Sequence, residues 1–598
     1  MVQAGWELPI NLVVDKTTGK ERAVRTVSRV WLLGLALLIW QGVSKQVAFS
    51  QEKTPTVSVM IEGADPLLKD LQFLASLTTT KEQEAWKKII DKDEGILEIF
   101  LLGVERQKPL GLDILLGTEG QRYRFLVPFE DFDSFVSDNL GGFEVQAKQI
   151  EPNFYKLSGG GLDGFLRKLH GYAVMAEKRE DVPASFPDPL QTLKPLKEGG
   201  YVLLAEIKNS KEGRDSRRQA IEQLGRNMVD ALKQKPDETT AAFNLRKTAL
   251  LWQIDEFKRF FADASHIAIG LKLNHQKKNA VVNLTLEALP KTELEKDVQL
   301  LNTKPSRFFV VQKHSDAILF AKIRFPLNKM RQQYLQKEVD LLRDAKLEQL
   351  TKDSKRTDQQ KEKAKEAVKL LHQIGTDFAK YAMIDGFVEI RQTAPGVRTV
   401  LVGLAVPGAT RMEQVLKLFA ESREGRQSKL NVAEVGKVKI HQLEPADVPQ
   451  ILSDFSPGKI YVATGENELW LAAGSDALAR LKEAVKELEQ QTTKDSADPA
   501  TDGDFYQFSF RCGPWFRFWD EQAKKSQNNS NLTEAEKTAR EEAANLRKLA
   551  IEACQTGDDT ISGTLKRTGN RVEGTMQLNE SVLRFISKVV ADFADKNL

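Results

Sequence analysis

The residues that could do chemistry are few and far apart. Gly159, Gly161 and Gly164 in the run SGGGLDG have the G-x-G-x-x-G spacing that can cradle a pyrophosphate at a helix N-terminus. That chemistry needs a sizeable helix straight after the glycines. Only Phe165–His170 separate them from the next β-rich run, so the stretch reads as a hairpin loop. His170, His266, His275, His314, His372 and His441 are scattered, with no H-x-x-x-H pair, and no G-x-S-x-G elbow or Walker-type loop occurs. Glu130, Asp131 and Asp133 could ligate a cation, but carboxylates in the first turn of a helix are explained by its dipole. Asp91, Asp93 and Glu94 open like a calcium loop, yet Gly95 comes one position early, and a solvated turn is expected. The sequence assigns no catalytic, cofactor-binding or metal-ligating residue.

Two other features could serve a ligand or a crosslink. The aromatic run at 505–522 could stack sugars, lipids or bases. Its pattern favours packing instead: Phe505, Gln507 and Ser509 alternate with Tyr506, Phe508 and Phe510 as in a strand. Trp515, Phe518, Trp519 and Ala523 then share one helical face, which leaves Phe516 and Arg517 unassigned. Cys512 and Cys554 are the only cysteines. In an exported chain they are a candidate disulfide, closing a loop of about 41 residues and contributing up to roughly 4 kcal/mol; two buried thiols are the alternative.

These residues must be positioned by a recurring unit. Residues 385–419 combine two β-rich runs around Pro395-Gly396, Pro407 at the end, and a helix with Met412, Val415, Leu416 and Phe419 on one face. Comparable strand–helices–hairpin–helix units appear four times. The expected organisation is a leader at 1–50, a long module at 51–200, a short one at 201–305, a long one at 306–490, a linker at 491–504 and a short module at 505–598. In the third module, residues 327–382 are rich in Lys, Glu and Gln with a thin apolar stripe, as in a projecting helical hairpin. The long-short, long-short pattern implies an internal duplication with halves near 51–305 and 306–598. The fold class is α+β, with antiparallel sheets and helices packed on one face.

Charge and export are linked. The chain of 598 residues carries a net charge of +3, but its first 50 residues hold six basic and three acidic groups. The remainder has 81 of each sign and is neutral, which excludes the concentrated positive field of a nucleic-acid binder. Val30–Trp40 is an apolar run of 11 after several basic residues, followed by small residues up to Ser50. A bilayer span needs roughly 20 apolar residues, so a cleaved signal is expected, with cleavage between Ser50 and Gln51. An uncleaved anchor over residues 30–43 is the alternative.

The long leader, the repeated modules and the ending GTMQLNESVLRFISKVV at 574–590 resemble large exported proteins of unknown function from planctomycete-type bacteria. That resemblance carries no activity, cofactor or site residue. The expected function is that of an exported, non-enzymatic envelope protein serving as a scaffold or binding module, in the periplasm or cell envelope, with a protein or envelope component as partner. The rival is an exported hydrolase or hydrophobic-ligand carrier with its site between the two halves. The parts that differ between modules, above all the helical arm, are the expected places for function.

Overall fold

The computed structural model describes residues 56–91, 95–117, 120–236, 238–394, 397–422, 425, 427–444, 459–492, 503–525 and 533–598. Ser50, Gln51 and the apolar run Val30–Trp40 lie outside them, as do Asp93 and Glu94. Among the described residues no helix is long and apolar enough to cross a membrane.

The first module starts with strand β1 (Thr56–Ile61), followed by helices α1 (Ala64–Ser76) and α2 (Thr80–Ile90). Sequence periodicity alone suggests one helix from Asp65 to Ile90. The break comes at Thr79, which caps α2 in a reciprocal box: its backbone N–H donates to Glu82 Oε2 at 2.9 Å. The apolar run at 96–102, short enough to suit a strand, is a short helix over Ile96–Phe100. Short apolar runs are ambiguous in periodicity, and here the helix won. The hairpin β2 (Leu110–Gly117) and β3 (Gly120–Pro128) follows. Four further strands come next: β4 (Val145–Glu151), β5 (Phe154–Gly159), β6 (Gly164–Leu169) and β7 (Tyr172–Ala176).

The second module runs through β8 (Leu203–Lys208), helices α3 (Arg214–Asp230) and α4 (Thr240–Asp263), the hairpin β9 (Ala264–Asn274) and β10 (Asn279–Ala288), and α5 (Glu293–Leu300). Thr292 caps α5 as its position before Glu295 suggests, accepting from the Glu295 N–H at 3.2 Å. The Glu295 carboxylate, however, accepts from Lys291 N rather than from Thr292.

The second half repeats this plan. Strand β11 (Ala317–Pro326) leads to α6 (Lys329–Lys352), α7 (Asp358–Tyr381), the hairpin β12 (Met383–Ala394) and β13 (Val397–Ala405), and α8 (Met412–Ala420). Four extra strands follow, β14 (Lys429–Val435), β15 (Val438–Leu443), β16 (Ile460–Thr464) and β17 (Glu468–Gly474), then α9 (Ala477–Thr492). The last module is β18 (Gly503–Arg511), α10 (Cys512–Lys525), α11 (Glu534–Ala553), β19 (Thr560–Thr568), β20 (Arg571–Leu578) and α12 (Glu580–Asn597).

All twenty strands join one antiparallel sheet. Its spatial order is β4-β5-β6-β7-β3-β2-β1-β8-β9-β10, then β20-β19-β18-β11-β12-β13-β17-β16-β15-β14. Adding ten to each strand of the first half gives the order of the second half, read from the opposite edge. The halves meet where β10 pairs with β20, from Ala280 opposite Leu578 to Glu287 opposite Arg571.

Helices then cross between the halves. The last helix, α12, returns to the first module, where Trp86 Nε1 donates to Ser587 O at 3.2 Å and Lys588 reaches Glu82 at 2.6 Å. The arm helix α6 lies on α4, with Arg331 bidentate on Glu256 at 2.6 Å and Tyr334 donating to Asp255 at 2.6 Å. The root of the arm is therefore clamped by ion pairs, a contact its thin apolar stripe does not announce; sequence alone suggested a projecting hairpin.

In the second half helices lie against both faces of the sheet, unlike the one-face arrangement expected. Side chains alternate along a strand, so Leu404 and Leu469 meet α7 and α8, while Leu401, Trp470 and Ala472 meet Leu481, Val485 and Leu488 of α9. A segment at 306–314 crosses the same face as α9 and places Phe308 against Phe387 and Trp470. The first half is covered on that face by the stretch carrying Val182, Phe186, Leu193 and Leu196. Between these two covers, the face is open over β18, β19 and β20.

Candidate binding groove on the open face of the sheet

The wall of the open region is the 306–314 strap, and three charged groups beneath it set its position. Asp385, fully buried on β12, accepts from Ser306 Oγ at 2.5 Å, from Arg307 N at 2.6 Å and from Phe308 N at 3.4 Å. Burial pushes its carboxyl above the usual range, against the pull of those hydrogen bonds. Glu389, two pleat repeats further along, accepts from His314 N at 3.3 Å and from the buried Arg480 Nε at 2.8 Å. Between them Lys322 of β11 donates from Nζ to Phe309 O at 2.6 Å and to Val311 O at 3.3 Å.

Lys322 is 6% exposed. Among the described residues no carboxylate lies within ion-pair distance of it. Burial holds its ammonium below the ordinary lysine value, Asp504 pulling the other way and Arg324 adding to the depression. An ammonium has three N–H donors, and the strap takes two of them.

The floor follows from strand register. Lys322 pairs with Gln507, Gln507 with Thr564, and Thr564 with Thr575; Phe320 pairs with Ser509, Ser509 with Ser562, and Ser562 with Gln577. Directly paired residues share a face, so two rows of hydroxyls and amides lie side by side. They enclose, with Gln312 and Lys313 from the strap, a groove of about 370 Å³. Lys313 Nζ donates to Ser509 Oγ at 2.9 Å. Gln507 Nε2 donates to Asp504 and Gln577 Nε2 to Asn579, at 2.7 and 2.6 Å. The hydroxyls of Ser562, Thr564 and Thr575 have no partner among the described residues. Such a surface can bind a polar, hydrogen-bonding ligand by its hydroxyls and an anion by its two lysines.

A second groove, of about 810 Å³, lies between the arm and α8. Leu350, Val368, Leu371, Leu418 and Phe419 line it, and the Lys363–Glu421 ion pair at 2.8 Å spans it. It belongs to the second half alone, not to a seam between halves.

The residues singled out from sequence have other employment. Gly159 and Gly161 take positive φ values of 102° and 77° at the turn between β5 and β6, and Gly164 packs so closely that a Cβ would sit 2.6 Å from Ala176 O. Asp131 caps a helix start through Ser134 N at 2.8 Å. Four histidines are tied to acids: His266 to Glu206 at 3.1 Å, His275 to Asp70 at 2.6 Å, His372 to Asp340 at 2.6 Å, and His314 to Asp316. His441 is buried beside Thr464, and burial pushes its imidazole down. In the aromatic run Phe505 and Phe518 are buried and Phe516 meets Phe585, but Trp519 is 48% exposed rather than packed away. Cys512 and Cys554 are both buried free thiols that share one apolar cluster with Val582. Burial above all, together with the charge of Asp559, pushes them up to about 12 and about 11, with Arg517 and Arg584 pulling Cys554 the other way.

Lys322, Ser562, Thr564 and Thr575 were not singled out from sequence. The signal that marks them is the polar alternation of Gln507-x-Ser509, Ser562-x-Thr564 and Thr575-x-Gln577 on three strands whose other face is apolar. No protein-family description, curated protein or solved structure matches the chain.

Proposed function

We propose that this chain is an exported protein of the cell envelope that acts as a binding module on a rigid scaffold, and that the groove over β18–β20 is its ligand-contacting surface. The observation that carries the reading is the groove itself: hydroxyls without a partner among the described residues, and two lysines, on a stretch of that face left uncovered. Its rigidity is supported from outside, since the floor strands are paired on both sides and the strap is pinned by Asp385, Lys322 and Glu389.

The scaffold reads as the product of an internal duplication with halves near 51–305 and 306–598. Support comes from the strand order, which repeats with a shift of ten, and from the four leading strands. These meet in pairs, β1 with β8 and β11 with β18. Duplication gives a broad sheet without requiring a new core design, and the two copies are then free to diverge in their polar face.

Two measurements test the reading. N-terminal sequencing of the mature protein should begin at or near Gln51; retention of Val30–Trp40 overturns the cleaved export signal. Mature protein mixed with washed, insoluble envelope polymer should co-sediment, and Lys313→Glu should release it. Failure to sediment, or sedimentation indifferent to that charge reversal, overturns the binding role of the groove.

A further inference from the structure

We infer that the groove over β18–β20 takes a carboxylate-bearing saccharide, an inference that rests on the binding-module reading above. Four observations select this chemistry. The floor offers Gln507, Ser509, Ser562, Thr564, Thr575 and Gln577 in two rows. Neighbouring strands stand about 4.8 Å apart and same-face residues about 6.8 Å apart, so the donors and acceptors form a grid on the scale of a sugar ring. A polyol, with a hydroxyl on nearly every carbon, can satisfy such a grid; a fatty chain cannot.

The wall adds positive charge with no acid within ion-pair distance among the described residues. Lys313 stands at the rim, and Lys322 is buried with its ammonium held by two carbonyls and over the ring of Phe309 at 4.6 Å, with Asp504 acting from further off. A buried cation with no counter-ion in contact is costly, and an arriving carboxylate relieves that cost. The one ion pair near the end of the floor, Lys566 with Glu573 at 3.0 Å, is already neutral.

The alternatives fit less well. An extended peptide commonly docks by adding to a free strand edge, and β18, β19 and β20 have both edges paired. A single-stranded nucleic acid needs exposed aromatic platforms; of the aromatic residues lining the groove, Phe320 is 5% exposed and Phe508 turns its ring to the opposite face of the sheet, against Gly563. The groove volume of about 370 Å³ falls at the small end of ligand sites. It suits one or two sugar units of a longer chain.

The test uses the mature full chain, titrated by calorimetry with trigalacturonate, with maltotriose as the neutral trisaccharide, and with inorganic phosphate. Trigalacturonate should bind at least about tenfold more tightly than either control, given a charge-assisted contact. Lys313→Gln and Thr564→Val should each weaken it by about three- to tenfold, the size of one hydrogen bond. Lys363→Gln, in the arm groove, should leave it unchanged. Lys322→Met should weaken it further, provided that circular dichroism shows a native fold; the exposed Lys313 carries the test if it does not. Equal binding of phosphate or maltotriose, or indifference to both Lys313→Gln and Thr564→Val, overturns the inference. Co-sedimentation with envelope polymer but no response to trigalacturonate overturns the saccharide class and leaves the binding module standing. Loss of both overturns both.

Discussion

Strands β8–β10 and strands β18–β20 hold equivalent places in the two halves, and their polar faces are satisfied in opposite ways. In the first half the face closes on itself. Ser58 Oγ donates to Asp113 at 2.6 Å, Arg124 holds the same carboxylate at 2.9 and 2.5 Å, and Glu206 accepts from Lys208 at 2.5 Å beside His266. Asp113 and Glu206 are 2% and 5% exposed. In the first half Glu206 lies opposite Ser58 of the leading strand, whereas in the second half the pair of β18 and its leading strand that borders the groove on the same face is Gln507 with Lys322. One copy is an internally neutralised network, the other a surface with cationic charge and hydroxyls to spare. The difference teaches that two stretches of one sheet with matching strand order can carry faces of opposite kind, one closed by its own ion pairs and the other with hydroxyls unpartnered among the described residues.

The sharpest way to break the comparison is to unbalance the closed copy. Asp113→Ala leaves Arg124 without its acid and Ser58 without its acceptor. Removing one member of a buried ion pair costs about 3 kcal/mol. Urea denaturation should show that loss, whereas Lys313→Gln, on the open copy, should shift the midpoint within error. A stability loss of equal size from Lys313→Gln would show that the two faces do not divide the work.

An acid placed on the open face gives a smaller effect on stability. Gln507→Glu puts a carboxylate directly opposite Lys322 but exchanges the hydrogen bond to Asp504 for a like-charge contact, so the two effects offset and stability should stay within about 1 kcal/mol of the parent. Trigalacturonate affinity should fall by more than about tenfold, because the introduced acid now occupies the cation. Unchanged affinity would mean that Lys322 does not face the ligand.

The α+β class was legible in the sequence because it rests on local signals: the hairpin at 385–405, the prolines after strands, and helix faces such as that of Val582, Phe585 and Ile586. The alternation of Gln507 and Ser509 with Tyr506 and Phe508 was also visible. What could not be read was register between distant strands. Nothing local places Thr564 opposite Gln507 or Lys322 beside it, since a slip of one residue would turn every floor hydroxyl to the helix side. The arm at 327–382 does form two helices with few buried residues, α6 and α7, but the anchoring of its root could not be read. That root is held by Arg331–Glu256 and Tyr334–Asp255 contacts across 75 and 79 positions of sequence, which a count of apolar residues does not register. Cover on the second face by α9 was likewise hidden, because an amphipathic helix does not say which side of a sheet it will take.

The smallest expected difference between the copies is in acid. Burial alone would push the Glu206 carboxyl up, but hydrogen bonds from His266 and Lys208 outweigh it and hold the group below its ordinary value. A carboxyl with a depressed folded-state pKa binds its proton less readily folded than unfolded. Its contribution to stability is therefore complete above the ordinary carboxylate range and is lost as pH falls through the folded value. Glu206→Gln should then be less stable than the parent at neutral pH, with the gap between thermal midpoints closing as the pH is lowered below about 4. The same scan on Lys313→Gln sharpens the comparison. That change breaks no carboxylate pair, so its thermal midpoint should follow the parent's over the same acid range; a gap that opens or closes there would show that the open face is coupled to an acid as the closed one is.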